Sequence, residues 1–219
     1  MNQSVITVVG AGPGVGLAVA RRFAKEGFRV ALVARKADAL TEYAAQLKGA
    51  GFEARGFAAD AADENSLRKA FADIKENLGP TNVLVYNAAV LKMAQPSQLR
   101  VDDLVHEFRV NVAGALVSVQ AVLEDMKAAK AGTILLTGGG FALSPMPAFT
   151  SLAIGKAAIR NLTSSLAGEL EPQGIHVGTV TICGLVRPGT AFDPDKIAEA
   201  YWTLHTQEAG KWEREIMFR

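Results

Sequence analysis

The sequence predicts a doubly wound parallel α/β sheet with helices on both faces, folded as a single domain over residues 1–219. Three observations carry this expectation. Short β-branched or aliphatic runs alternate with segments of helical apolar spacing along the whole chain. A glycine cluster, Gly10, Gly12, Gly14 and Gly16, stands between the first such run and the first such helix. No repeat, low-complexity tract or linker divides the chain, whose 219 residues suffice to bury a sizeable core.

The elements follow in order. Val5, Ile6, Val8 and Val9 read as a buried strand, and Leu17, Val19, Ala20, Phe23 and Ala24 recur at helical spacing after it. Residues 30–34 read as the second strand, followed by a helix over 37–48 with Leu40, Tyr43, Ala44 and Leu47 on its apolar side. Residues 51–60 read as a third strand ending at Asp60, and 64–78 as a helix presenting Leu67, Ala70, Phe71 and Ile74. A fourth strand over 82–86 runs into Asn87-Ala88-Ala89, and a long helical zone covers 101–129. Then come a fifth strand over 133–137, a helix over 151–170 and a sixth strand over 175–182. A helix over 195–208 and an edge strand within 213–219 end the reading, with Trp202 and Trp212 as packing or interface residues.

Bulk properties narrow the function. A formal charge of +1 argues against a nucleic-acid groove or an anionic membrane surface as partner. Cys183 is the sole cysteine, so neither an internal disulfide nor a zinc pattern is available. The apolar N-terminal run lacks a basic leader and is broken by glycines and Pro13, and no apolar stretch reaches spanning length. A soluble cytoplasmic protein acting on a small molecule is expected.

The glycine cluster has a chemical use. A strand, a glycine turn and a helix bring backbone N–H groups, and the positive end of the helix dipole, against a pyrophosphate. The common G-x-G-x-x-G spacing fails, because its third glycine would fall on Val15 or Leu17; what fits is G-x-x-x-G-x-G at Gly10, Gly14 and Gly16. A phosphate loop ending in Gly-Lys-Ser/Thr is absent, which argues against a nucleoside triphosphatase. After the second strand, where an acid would accept from a ribose 2′-hydroxyl, stand Arg35 and Lys36. Two cations there suit a 2′-phosphate, favouring NADP, while Asp38 nearby keeps NAD open.

With these motifs in place, the chain resembles the short-chain dehydrogenase/reductase family over nearly its whole length. Gly10-x3-Gly14-x-Gly16, with Gly12, Pro13 and Val15 between, resembles the family's cofactor loop. Asp60 is similar to the acid that meets the adenine ring, and Asn87-Ala88-Ala89 to the family's Asn-Ala-Gly. Arg109-Val110-Asn111-Val112-x-Gly114 resembles the helix of the catalytic asparagine, which makes Asn111 that residue by resemblance. Lys156 looks like the lysine of Tyr-x-x-x-Lys, which also binds the nicotinamide ribose, and residues 182–186, including Gly184 and Val186, resemble the loop holding the nicotinamide. The resemblance also implies a homodimer or homotetramer built on the helices around 101–129 and 151–170.

Two departures bear on the chemistry. The tyrosine of Tyr-x-x-x-Lys falls on Leu152, and the family's serine falls near Gly138 or Gly139. Leu152 has no proton to give, and losing a general acid costs roughly 10²–10⁴ in rate. Thr137, Ser144, Thr150, Ser151 and a water chain from Lys156 are the substitutes considered; Tyr86 is read as packed and His106 as structural. The glycines 138–140 fit either a turn or a bare floor beside a flat ring. Two functions therefore stay open: an NADP-linked oxidoreductase with a rearranged proton donor, or a catalytically weak dinucleotide-binding sensor or regulator.

Overall fold

A computed structural model describes residues 3–219. Its strands are β1 (Val5–Val9), β2 (Arg29–Ala34), β3 (Ala54–Ala58), β4 (Thr81–Tyr86), β5 (Gly132–Gly139), β6 (Ile175–Ile182) and β7 (Glu215–Phe218). Its α-helices are α1 (Val15–Ala24), α2 (Ala37–Gly49), α3 (Glu64–Leu78), α4 (Val101–Phe108), α5 (Gly114–Ala129), α6 (Thr150–Leu170) and α7 (Pro194–His205). The strands form one sheet in the order β3-β2-β1-β4-β5-β6-β7, and every pairing is parallel. The order reverses between β1 and β4, so a crevice opens beyond their carboxyl ends.

Both faces of the sheet are covered, which is why β1 and β6 are buried at every residue rather than alternately, while the edge strand β3 is largely exposed. Successive side chains of a strand still point to opposite sides. Ile6 and Val8 join Phe23, Leu40, Ile197 and Tyr201 in the core under α1, α2 and α7. Val5 and Val9 join Phe71, Val119 and Leu166 in the core under α3, α5 and α6. Helices α3 and α7 begin with side-chain caps: Asp63 accepts from the N–H groups of Asn65 and Ser66, and Asp193 from that of Asp195.

The expected alternation is present, with corrections at three ends. The third strand is shorter than 51–60, because Gly51 takes a φ of +87° and belongs to the turn after α2. The fifth strand is longer than 133–137: Gly138 and Gly139 continue it and pair with Thr181 and Ile182 of β6. The last helix stops at His205, not at 208. The zone 101–129 is helical, but a π-helical turn over Arg109–Ala113 separates α4 from α5. That turn carries Asn111, and such insertions recur at functional sites.

One buried group has no counterpart in this packing. Glu107, one turn before Asn111, is buried, and neither carboxylate oxygen has a hydrogen-bond partner among the described residues. Burying an unpartnered polar group costs about 1–3 kcal/mol. Glu107→Leu, of similar size and without charge, should raise stability by roughly that amount, or about 2–12 °C in Tm. Thermal unfolding by circular dichroism checks this; a lower Tm would mean the carboxylate is needed where it lies.

Candidate active site

The glycine loop connects β1 to α1. Gly10 has a φ of +86°, and a Cβ there would lie 2.3 Å from the backbone N of Ala88. A Cβ on Gly16 would lie 2.6 Å from the Gly10 carbonyl oxygen. These two glycines therefore let β1, α1 and the segment after β4 close on one another. Gly12 and Gly14 differ: a Cβ on either would meet nothing within 4 Å, so both border open space. The start of α1 faces that space. A helix leaves its first four N–H groups without intrahelical partners. Here Leu17 N–H reaches the Gly12 carbonyl and Ala18 N–H the Gly14 carbonyl. The N–H groups of Val15 and Gly16 remain for an external acceptor, Gly14 caps with no side-chain bond, and the first turn holds no acid. A bare backbone, two free donors and a positive dipole end fit a diphosphate.

A hydrogen-bonded chain braces this loop from behind. Asn87 Nδ2 donates to the Gly10 carbonyl at 3.0 Å, and Thr137 Oγ1 donates to Asn87 Oδ1 at 3.1 Å. With the Thr137 proton so placed, the Tyr201 hydroxyl donates to Thr137 Oγ1 at 2.7 Å. Lys156 Nζ donates to the Thr137 carbonyl, also at 2.7 Å. Thr137 thus links α7, α6, the end of β4 and the glycine loop. Burial lowers the Lys156 pKa to about 8 from an ordinary 10.5. Burial likewise pushes the Tyr201 hydroxyl up, so it stays a neutral donor.

Beyond the network lies a cavity of about 990 Å³. Val15, Asn87, Lys156, Gly184 and Val186 line it, so five residues singled out in the sequence meet there. Leu152 also lines it, one helical turn before Lys156 on α6. Gly138 and Gly139, adjacent in sequence, have opposite surroundings. A Cβ on Gly138 would meet Thr181 Oγ1 at 2.5 Å, whereas one on Gly139 would meet the Lys156 stem at 3.2–3.3 Å. Phe141 and Phe149 stack with ring centroids 5.2 Å apart and planes 16° apart, and both line the cavity.

The other sequence candidates lie elsewhere or are engaged. Arg35 and Lys36 follow β2, are exposed, and form no ion pair among the described residues. Asp60 lies just beyond β3, exposed, with Oδ1 accepting from Ala62 N–H at 2.9 Å. The strand order places these three on the β1 side of the crevice, away from the cavity. Asn111 is buried; its Oδ1 accepts from Val90 N–H at 2.7 Å and its Nδ2 donates to the Val90 carbonyl at 3.3 Å. Its amide therefore holds the segment after β4 and does not face the cavity. Ala88 supplies the backbone that Gly10 closes on. Tyr86 is packed, its hydroxyl donating to the Val110 carbonyl, and His106 is exposed on α4.

Of the hydroxyls considered as proton donors, only Thr137 and Ser144 line the cavity, and Thr137 is committed to the network. Thr150 is tied to the Pro147 carbonyl at 2.7 Å, and Ser151 is buried without a partner among the described residues. The Tyr201 hydroxyl is a functional group that sequence reasoning missed, because its partner Thr137 lies 64 positions away. The same reasoning missed the Phe141–Phe149 pair, which no helical or strand period links.

Comparison with known proteins places this geometry among relatives. The family model described as short chain dehydrogenase matches residues 4–196. A short chain dehydrogenase of Pseudocercospora fijiensis is 33% identical over 172 residues, which are 77% of this chain and 55% of that protein. The chain thus spans little more than half the length of that relative. Glucose 1-dehydrogenase of Gluconobacter oxydans is 30% identical over 84% of this chain and 70% of its own length. Among solved structures, a metagenomic short-chain oxidoreductase in complex with NADP superposes with a TM-score of 0.90 at 26% identity, covering 99% of this chain and 98% of that one.

Proposed function

Because the chain belongs to the short-chain dehydrogenase family, we propose that it is an NADP-preferring oxidoreductase of that type, acting on a carbonyl or alcohol substrate with a non-standard proton donor. The observation that carries this reading is the open space at Gly12 and Gly14, faced by the free N–H groups of Val15 and Gly16 and continuous in sequence with a helix that borders the cavity. Bound there, the dinucleotide would exchange a hydride with the substrate's carbonyl carbon.

The chain's own residues would hold and orient it. Gly10, Gly12, Pro13, Gly14, Val15 and Gly16 form the diphosphate cradle. Arg35 and Lys36, which pair with no acid among the described residues, suit the 2′-phosphate, and Asp60 the adenine end. Asn87 and Ala88 fix the loop from below, and Gly184 and Val186 border the nicotinamide half of the cavity. Lys156 would leave the Thr137 carbonyl for the ribose and set a positive charge beside the developing oxyanion. Asn111 acts as a positioning residue, through its two bonds to Val90.

Calorimetric titration tests the cofactor assignment. Replacing both Arg35 and Lys36 by alanine removes charge-assisted bonds worth about 1.5–3 kcal/mol each and should weaken NADPH binding roughly 10²- to 10⁴-fold. NADH binding should change less than about threefold, since no contact to a 2′-hydroxyl is removed. Equal losses for both would place the cations elsewhere on the ligand, and failure of the unmodified protein to bind either would overturn the reading.

A second reading rests on Leu152. If that position is the family's tyrosine, two of four expected catalytic groups are missing, and the same cradle would serve a dinucleotide sensor or regulator of low turnover. For either function, exposed Val101, Val105, Phe108 and Leu116, with Ile154 of the adjacent α6, support a homodimer or homotetramer formed through these helices. Light scattering in solution reports that state directly.

A further inference from the structure

Resting on the oxidoreductase reading, we infer that the substrate is a flat, apolar, conjugated acceptor of the quinone class, whose reduced oxygen needs no protein acid. Two independent observations meet in the cavity. The first is its chemistry of omission. Leu152 offers hydrocarbon, Gly138–Gly140 offer no side chains, Ser144 is exposed, Thr137 is committed to the network and the Cys183 thiol is directed to the Thr181 carbonyl at 3.6 Å, so no neutral acid with a buried, free proton faces the space. An ordinary ketone accepts a hydride to become an alkoxide, a base in the range of hydroxide. Such a product demands an acid in the transition state. A quinone differs. A hydride added to one quinone oxygen would form its O–H bond and pass the electron pair through the ring to the other oxygen, giving a hydroquinone monoanion whose oxygen titrates near 10 as a phenol does. One proton from water completes the hydroquinone, leaving the dinucleotide oxidised.

The second observation is shape. The stacked Phe141 and Phe149 rings form a rigid aromatic wall, and the bare backbone of Gly138–Gly140 borders the same space. Aromatic faces of this kind favour a parallel or edge-on ring. Leu91 and Leu185, 63% and 82% exposed, stand at the cavity with Leu143 and Met146 and would be covered by an apolar guest. The volume of about 990 Å³ leaves room for a bicyclic ring beside a nicotinamide. Lys156 is the cation on the α6 side of this space, placed to attract the anionic product oxygen without having to surrender its own proton.

The test compares 1,4-naphthoquinone with 1-tetralone, a ketone of the same ring size, as acceptors for NADPH. We expect kcat/KM for the quinone to exceed that for the ketone by at least about 100-fold, the lower bound of what a missing general acid costs. Binding supplies a readout free of turnover: Phe149→Ala should weaken calorimetric affinity for 1-naphthol by about fivefold or more, with Phe141→Ala as the second variant should the first not fold. Comparable rates for both acceptors would overturn the substrate class and leave the oxidoreductase reading standing. NADPH binding with no turnover of either would overturn it in favour of the sensor. Loss of NADPH binding itself would be a failure of the underlying reading, seen before any acceptor is added.

Discussion

Changing Leu152 to tyrosine and Gly139 to serine together should raise 1-tetralone reduction by roughly 10²- to 10⁴-fold over the unmodified protein, the span that one general acid supplies. Geometry favours the pair. Leu152 lines the cavity one turn before Lys156, so a phenol there would lie on the lysine's side of the helix. A cation beside a phenol lowers its pKa, which prepares the hydroxyl to give its proton. Gly139 is the right glycine of the two, since its missing Cβ points to the Lys156 stem, whereas that of Gly138 points into β6. Its φ of −169° is extended backbone that serine adopts without strain. The contacts of 3.2–3.3 Å fall on Lys156 Cγ, Cδ and Cε, a flexible stem that can shift by the few tenths of an ångström required. The control is Leu152→Phe with Gly139→Ser, which matches the added bulk without the acid. If both pairs gain equally, the effect is shape. If neither gains while NADPH still binds, position 152 is not where the proton is needed.

How much of this was readable in advance divides along physical lines. The glycine turn was legible because its signal is local: strand, turn and helix are contiguous, and the close approaches at Gly10 and Gly16 leave no room for a side chain. Helix α3 was legible because Leu67, Ala70, Phe71 and Ile74 recur at helical spacing and all four are buried on one face. The extension of β5 through Gly138 and Gly139 was not, because glycine carries no strand propensity and the ordering comes from pairing with β6. The π-helical turn at Asn111 was hidden for a related reason. Helix flanks it on both sides, so a reading of helical zones passes through it unbroken. The network centred on Thr137 joins residues 50 and 64 positions apart, so its existence is a property of the fold alone. Consistency across levels fails at Glu107, Leu152, Gly139 and Lys156, and functional sites are where such conflicts concentrate.

Lys156 is the sharpest of these conflicts, and Lys156→Met should make the protein more stable while making it useless. Burial holds the ammonium at a pKa of about 8 against an ordinary 10.5, so the folded state disfavours its charge. That gap corresponds to roughly 3 kcal/mol; because the side chain is half-buried and donates to the Thr137 carbonyl, screening and the lost bond leave about 1–2 kcal/mol. The sign follows from linkage. Between about pH 8 and 10.5 the unfolded chain binds a proton that the folded chain does not, so stability rises with pH across that window. Below pH 8 both states carry the charge and its burial cost is fully present. At pH 7, Lys156→Met should therefore gain about 1–2 kcal/mol, near 2–8 °C in Tm, and the gain should vanish above pH 10.5. NADPH-dependent turnover should fall by at least about 10²-fold, since an oriented cation at the developing charge is lost. A less stable variant would recast Lys156 as a strut for the Thr137 carbonyl. A more stable one that still turns over would move the catalytic charge elsewhere. Stability gained and activity lost together would mean the fold tolerates a costly cation because the chemistry requires it.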